Sequence, residues 1–152
     1  MNTFIVDSDP KICALILDNK RLGKQRVECC QLLRAMERTS GGWIHHPATL
    51  MWKSHVSALK YYTNCMIEEW CKRGFKNTIP FFDVEVQEMP PWMHWHQLQK
   101  SHQASLLRKD FAYYSKYWNN LGEYMEYKYV WPTKLTIPID AHTPIQDMAE
   151  RI

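Results

Sequence analysis

The chain has 152 residues, of which 45% are hydrophobic and 13% aromatic, with a formal net charge of +3. That length suits one domain with a real core, and no apolar run approaches the roughly 20 residues a membrane-spanning helix needs. The N-terminal MNTFIVDSDP lacks the basic and apolar regions of a secretory leader, and five cysteines, an odd number without C-x-x-C spacing, point to reduced thiols in a cytoplasmic protein.

Asp9-Pro10 reads as an N-cap followed by Pro at the first helical position, and predicts a helix from there to about Arg38, bent or broken near Gly23. TSGGW (39–43) then punctuates the chain. His46-Pro47 starts a second helix. Its apolar residues Leu50, Met51, Trp52, Val56, Leu59, Tyr62, Met66, Ile67 and Trp70 recur at three- and four-residue steps, and Lys72-Arg73-Gly74 closes it with cations and a glycine cap. Residues 76–92 hold Pro80, Pro90 and Pro91 and read as irregular. A third helix starts after Pro91 or near Ser101 and runs through LLRKDFAYYSKYW, and Asn119–Gly122 is a turn. Pro132, Pro138 and Pro144 make the tail extended. No two strand-like runs are joined by hairpin chemistry. The expected fold is all-α: a compact single domain of three main helices with irregular connections and an extended C-terminal tail.

Charge is unevenly spread. Segments 41–79 and 100–134 carry a cation excess, whereas 80–99 holds Asp83, Glu85 and Glu88 and no Lys or Arg. Lys20, Arg21, Lys24 and Arg26 crowd into one short stretch at the start of a helical run. Arg26, Cys29, Cys30 and Leu33 share a face by helical spacing, apolar except at Arg26. A cation there either pairs with a structural carboxylate or faces a polyanion-binding cleft. Lys24–Glu28 has the spacing of an ordinary surface pair. Phosphates favour helix N-termini flanked by Lys and Arg, which suits the whole cluster. His45-His46 and His94/His96 lack nearby Cys partners, so neither a metal nor another cofactor is expected. Trp92, Trp95, Tyr113, Tyr114 and Trp131 read as core more readily than as base-stacking platforms.

Six blocks resemble, in order and spacing, the pyrimidine-dimer DNA glycosylase (endonuclease V) family. They are DNKRLGKQRVE (18–28), GGWIHHPA (41–48), SHV (54–56), CKRGF (71–75), SHQASLLRKD (101–110) and YVWP (129–132). The resemblance covers roughly residues 1–133, a glycosylase domain; the tail 134–152 has no counterpart. It implies a small all-α enzyme that acts on a lesion in double-stranded DNA, cyclobutane dimers being the family substrate. In the implied reaction the N-terminal α-amine attacks the deoxyribose C1′, a Schiff base forms, the glycosidic bond breaks, and β-elimination cuts the strand. An α-amine titrates near about 8, against roughly 10.4 for Lys, so a useful fraction is nucleophilic at neutral pH.

Carried onto this chain, the catalytic residues are Met1 or, after processing, Asn2 as the amine, Glu28 as the carboxylate, and Arg26 as a phosphate anchor. The sequence departs from the family pattern at two points. Asn at position 2 usually leaves Met in place, and alignment on Leu22 puts Arg21 where the family glutamate belongs. Asp18 and Glu28 are the nearest carboxylates; Glu28 is favoured because it lies one turn past Lys24 and two past Arg21. Lys20, Arg21, Lys24, His46, His55, His102, Arg108 and Lys109 are the expected DNA contacts. A monomer without membrane contact, associated with the nucleoid through DNA, is expected. Two alternatives keep the fold: a glycosylase for another modified base, and a DNA-binding protein without the amine chemistry. A metal-dependent nuclease is the least favoured reading.

Overall fold

A computed structural model describes residues 2–86, 88–126 and 130–132. The expected extended tail, 134–152, lies outside the described residues. There are six α-helices among those described, and no strand: α1 (Pro10–Ile16), α2 (Asn19–Met36), α3 (Pro47–Trp52), α4 (Val56–Lys72), α5 (His96–Lys109) and α6 (Phe111–Tyr114). Short 3-10 turns occupy Pro91–His94 and Gly122–Glu126. The all-α class is as the sequence predicts, with α2, α4 and α5 as the three long helices. Residues 76–86 and 88–90 are non-helical.

The described residues form two compact units, one of Asn2 and Thr3 with Asp9–Pro90, the other of Phe4–Ser8 with the described residues from Pro91 onward. In the first, the Asp9 side chain accepts from the Lys11 N–H and Pro10 takes the first helical position, which starts α1. The expected bend at Gly23 does not occur. The helix breaks earlier, at Leu17 and Asp18, whose backbones are extended (ψ 136° and 161°). Leu17 is fully buried at this corner. α2 runs unbroken through Gly23, because that glycine serves packing: a Cβ there would lie 2.8 Å from Cζ3 of Trp70. Leu22, Cys29 and Leu32 on α2 pack toward Leu59, Tyr62 and Met66 on α4, all essentially buried.

The second expected helix is two. α3 ends at Trp52, the chain turns through Lys53 and Ser54, and α4 restarts after His55 (φ −135°, ψ 44°). At the far end of α4, Gly74 takes a left-handed conformation (φ 84°), as its cap position requires. Arg73 beside it closes α1 as well. Its Nη2 donates to the Ala14 and Leu15 carbonyls, its Nη1 to Asn19 Oδ1, and its Nε to Glu69. Part of the CKRGF block is thus accounted for by helix ends that need donors.

In the second unit α5 clasps two extended segments. Ile5 N–H donates to His102 Nδ1 at 2.8 Å, Gln103 Nε2 donates to the Val6 carbonyl at 3.0 Å, and Val130 N–H donates to Ser101 Oγ at 2.7 Å. Trp92, Trp95 and Tyr114 are buried, as expected of core aromatics.

Candidate active site

The N-terminal segment of the first unit is held from three helices. Asn2 is 2% exposed. Its carbonyl accepts from Gln25 Nε2 of α2 at 2.7 Å, and Gln25 Oε1 in turn accepts from Tyr62 Oη of α4 at 3.2 Å. Thr3 Oγ1 accepts from Trp52 Nε1 of α3 at 2.9 Å. One helical turn past Gln25, the Glu28 carboxylate accepts from the Asn2 backbone N–H at 3.4 Å. Its side chain is largely shielded, and Lys24 Nζ lies 3.5 Å away on the same face of α2. Glu28 and Asn2, expected to act together, are therefore adjacent. Met1 lies outside the described residues.

The other cations separate into different settings. Lys20 is exposed one turn before Lys24. Arg21 is mostly covered and pairs with Asp18 at 3.2 Å. That bond occupies Asp18, the alternative carboxylate, at the N-terminus of α2, ten residues before Glu28. Arg26 is directed away from this site. Its Nη1 donates to Asn77 Oδ1 at 2.6 Å and its guanidinium carbon lies 4.3 Å from the centroid of Trp70, which also lies against Gly23, stacks on Phe75 and donates to the Lys76 carbonyl. Burial pushes its pKa below the usual arginine value. No carboxylate pairs with it among the described residues.

His46 caps α3, its Nδ1 accepting from the Ala48 N–H at 3.0 Å, which assigns the proton of the neutral ring to Nε2. Burial lowers its pKa, against a smaller upward pull from Glu28. His55 does not sit on the polar side of a continuous helix; it occupies the interruption between α3 and α4, and burial lowers its pKa too. In the second unit His102 corrects the sequence reading outright. It is fully buried, edge-on to Phe4, and burial drives its pKa down to about 3. It therefore offers no exposed donor to a phosphate. Arg108 and Lys109 are exposed at the end of α5, where Arg108 donates to the Tyr124 and Met125 carbonyls.

Sequence reasoning missed Gln25, Tyr62, Thr3 and Asn77. The signal for Gln25 was present: Leu22, Gln25, Cys29 and Leu32 follow the 3-4-3 helical spacing, and Gln25 is the one polar member.

A family model described as pyrimidine dimer DNA glycosylase matches residues 1–83, and the site built above lies within that stretch. No curated protein and no solved structure matches the chain. With more than half of its length so matched, this chain belongs to the pyrimidine dimer DNA glycosylase family.

Proposed function

We propose that the protein is a DNA glycosylase with AP-lyase activity, acting on damaged pyrimidines in duplex DNA through an N-terminal amine. The observation that carries this reading is the Glu28 carboxylate at 3.4 Å from the Asn2 nitrogen, inside a clamp that fixes Asn2 and Thr3. A backbone nitrogen so held becomes an amine in the same place if Met1 is removed; if Met1 stays, the amine is one residue further along. Glu28 takes up a proton as the amine attacks C1′. The base leaves as the new C–N bond forms, the C1′–O4′ bond then opens with a proton passing to O4′ to give the imine, and loss of a 2′ proton from that imine expels the 3′ phosphate. Holding the amine against the acid-base group removes the orientational cost of the attack. Lys20, Lys24, Arg108 and Lys109 supply phosphate contacts in this reading, and His46 borders the site. The cyclobutane dimer is the substrate that family membership favours.

Borohydride reduction tests it. An imine between the protein and dimer-containing or abasic duplex becomes a stable covalent adduct, and peptide mapping of the adduct must place DNA on residue 1 or 2. Cleavage without a trappable adduct would reject the amine mechanism; binding without cleavage would favour the DNA-binding alternative.

A further inference from the structure

Two nitrogens meet the Glu28 carboxylate, one on each oxygen. The Asn2 backbone nitrogen lies 3.4 Å from Oε2, and Lys24 Nζ lies 3.5 Å from Oε1. The reaction set out above runs through the N-terminal nitrogen and leaves Lys24 as a phosphate contact. Yet Lys24 is itself a primary amine, and a lysine beside a general base is a nucleophile's setting.

An ordinary i,i+4 surface pair leaves both partners in water and does little for either. Here the exposure is unequal. The Lys24 side chain is 70% exposed and that of Glu28 only 12%. A sugar can therefore reach the amine from outside, while the carboxylate that takes its proton is shielded and engaged on its other oxygen. The pair is also set by α2 alone, since the two residues lie one turn apart on the same face. The Asn2 nitrogen depends on processing instead. While Met1 remains, it is a peptide amide whose lone pair is delocalised, and the amine in contact with Glu28 among the described residues is that of Lys24. Asn at position 2 favours that state.

Resting on the glycosylase reading, we propose that Lys24 Nζ is a second nucleophile of this site, which forms the imine with an abasic sugar when the α-amine is blocked. Nζ passes a proton to Glu28 Oε1, and its lone pair attacks C1′ of the open-chain aldehyde. A C–N bond forms, the carbonyl π bond breaks, and a proton moves from the nitrogen to the oxygen. Glu28 returns its proton to the resulting hydroxyl, which leaves as water while the nitrogen lone pair closes the imine. Loss of a 2′ proton then expels the 3′ phosphate. The substrate class is DNA that has already lost a base.

The test uses the full chain and a duplex with one true abasic site. The α-amine is converted to a ketone by transamination with pyridoxal phosphate, which spares lysine side chains, and the mass of the N-terminal peptide verifies the conversion. Borohydride adducts are counted per bound complex, with binding measured in parallel on a stable tetrahydrofuran analogue. The transaminated chain is expected to keep a trappable adduct. Trypsin does not cut after a modified lysine, so the DNA must appear on the peptide Leu22–Arg26. Lys24→Arg keeps the cation without a primary amine, and in the transaminated chain it should reduce the adduct to background. No adduct from the transaminated chain, while the untreated chain still traps on residue 1 or 2, overturns the proposal and leaves the N-terminal reading standing. An adduct that maps outside Leu22–Arg26, or that survives Lys24→Arg, overturns it as well. An untreated chain that traps only on Lys24 defeats the N-terminal amine and keeps this assignment. No adduct from either chain defeats both.

Discussion

The Asn2 nitrogen donates to the Glu28 carboxylate across 26 residues of sequence, and the Asn2 carbonyl is held at the same time by Gln25, one turn earlier on the same helix. Two adjacent turns of α2 thereby set both the place and the chemical neighbour of the N-terminal segment.

Glu28→Gln keeps the shape and removes the proton acceptor. Single-turnover cleavage of an abasic duplex is expected to fall by about 10²–10⁴ with little change in unfolding midpoint. Asp18→Asn, which frees Arg21 from its partner, is expected to leave cleavage within a few-fold of wild type. Equal losses in the two variants would remove Glu28 from its role.

Gln25→Leu fills similar space but leaves the Asn2 carbonyl and the Tyr62 hydroxyl without their present partner. Such a loss costs about 1–3 kcal/mol of stability, and cleavage should drop with it because the N-terminal segment loosens. Tyr62→Phe should cost less. A double-mutant cycle in urea measures their coupling, which should be clearly non-zero for a shared hydrogen-bond chain.

Arg26 stacks on Trp70 and bonds Asn77, so Arg26→Ala is expected to cost about 1–2 kcal/mol. Breaking a buried ion pair would instead cost about 3–5 kcal/mol. The urea midpoint of the variant decides between these settings. Cleavage by Arg26→Lys, measured alongside, reports whether the guanidinium also serves DNA.

Gly23→Ala would ordinarily help a helix by about 1 kcal/mol. Here the new methyl meets Trp70 at 2.8 and 2.9 Å, and the indole is held in place by its bond to the Lys76 carbonyl. The variant is expected to be destabilised by about 1–3 kcal/mol. A raised melting temperature would show that the ring moves aside freely.

His102 gives the fold a pH dependence. Its folded pKa, about 3, lies below the unfolded value of about 6.5. Above about 6.5 both states are neutral and the contribution is complete. As the pH falls from there toward 3, the unfolded chain takes up a proton that the folded one does not, so stability declines by about 1.4 kcal/mol per pH unit. His102→Asn retains an acceptor for Ile5 and should lower that slope by the same amount, measured by urea unfolding between pH 6.5 and 4.5.

The helical class, the starts of α1 and α3 and the glycine cap of α4 were legible because each rests on local chemistry written in neighbouring residues. The break at Leu17 was not, since it depends on burying Leu17 at a corner, whereas Gly23 advertises a break that Trp70, 47 residues away, makes unnecessary. The Lys24–Glu28 pair was legible from its four-residue spacing. Arg26 was assigned to the inward face of α2 by an offset of one residue; the inward polar residue is Gln25, and 100° of helix separates the two. His102 looked like a surface cation within a basic block, because nothing near it in sequence reveals that Ile5 needs an acceptor.

The grip of α5 on Phe4–Ser8 bears on how the protein can be made. Residues 1–83 are the family-matched stretch, yet the Ile5 and Val6 backbones hydrogen-bond to His102 and Gln103. During synthesis α1–α4 can pair as they emerge, while Phe4–Ser8 waits for nearly 100 further residues before its partners exist. A fragment ending near Pro90 would keep the Asn2–Glu28 pair's residues but leave the Ile5 and Val6 backbone without the helix that secures it. A minimal version of this protein must therefore extend through α5.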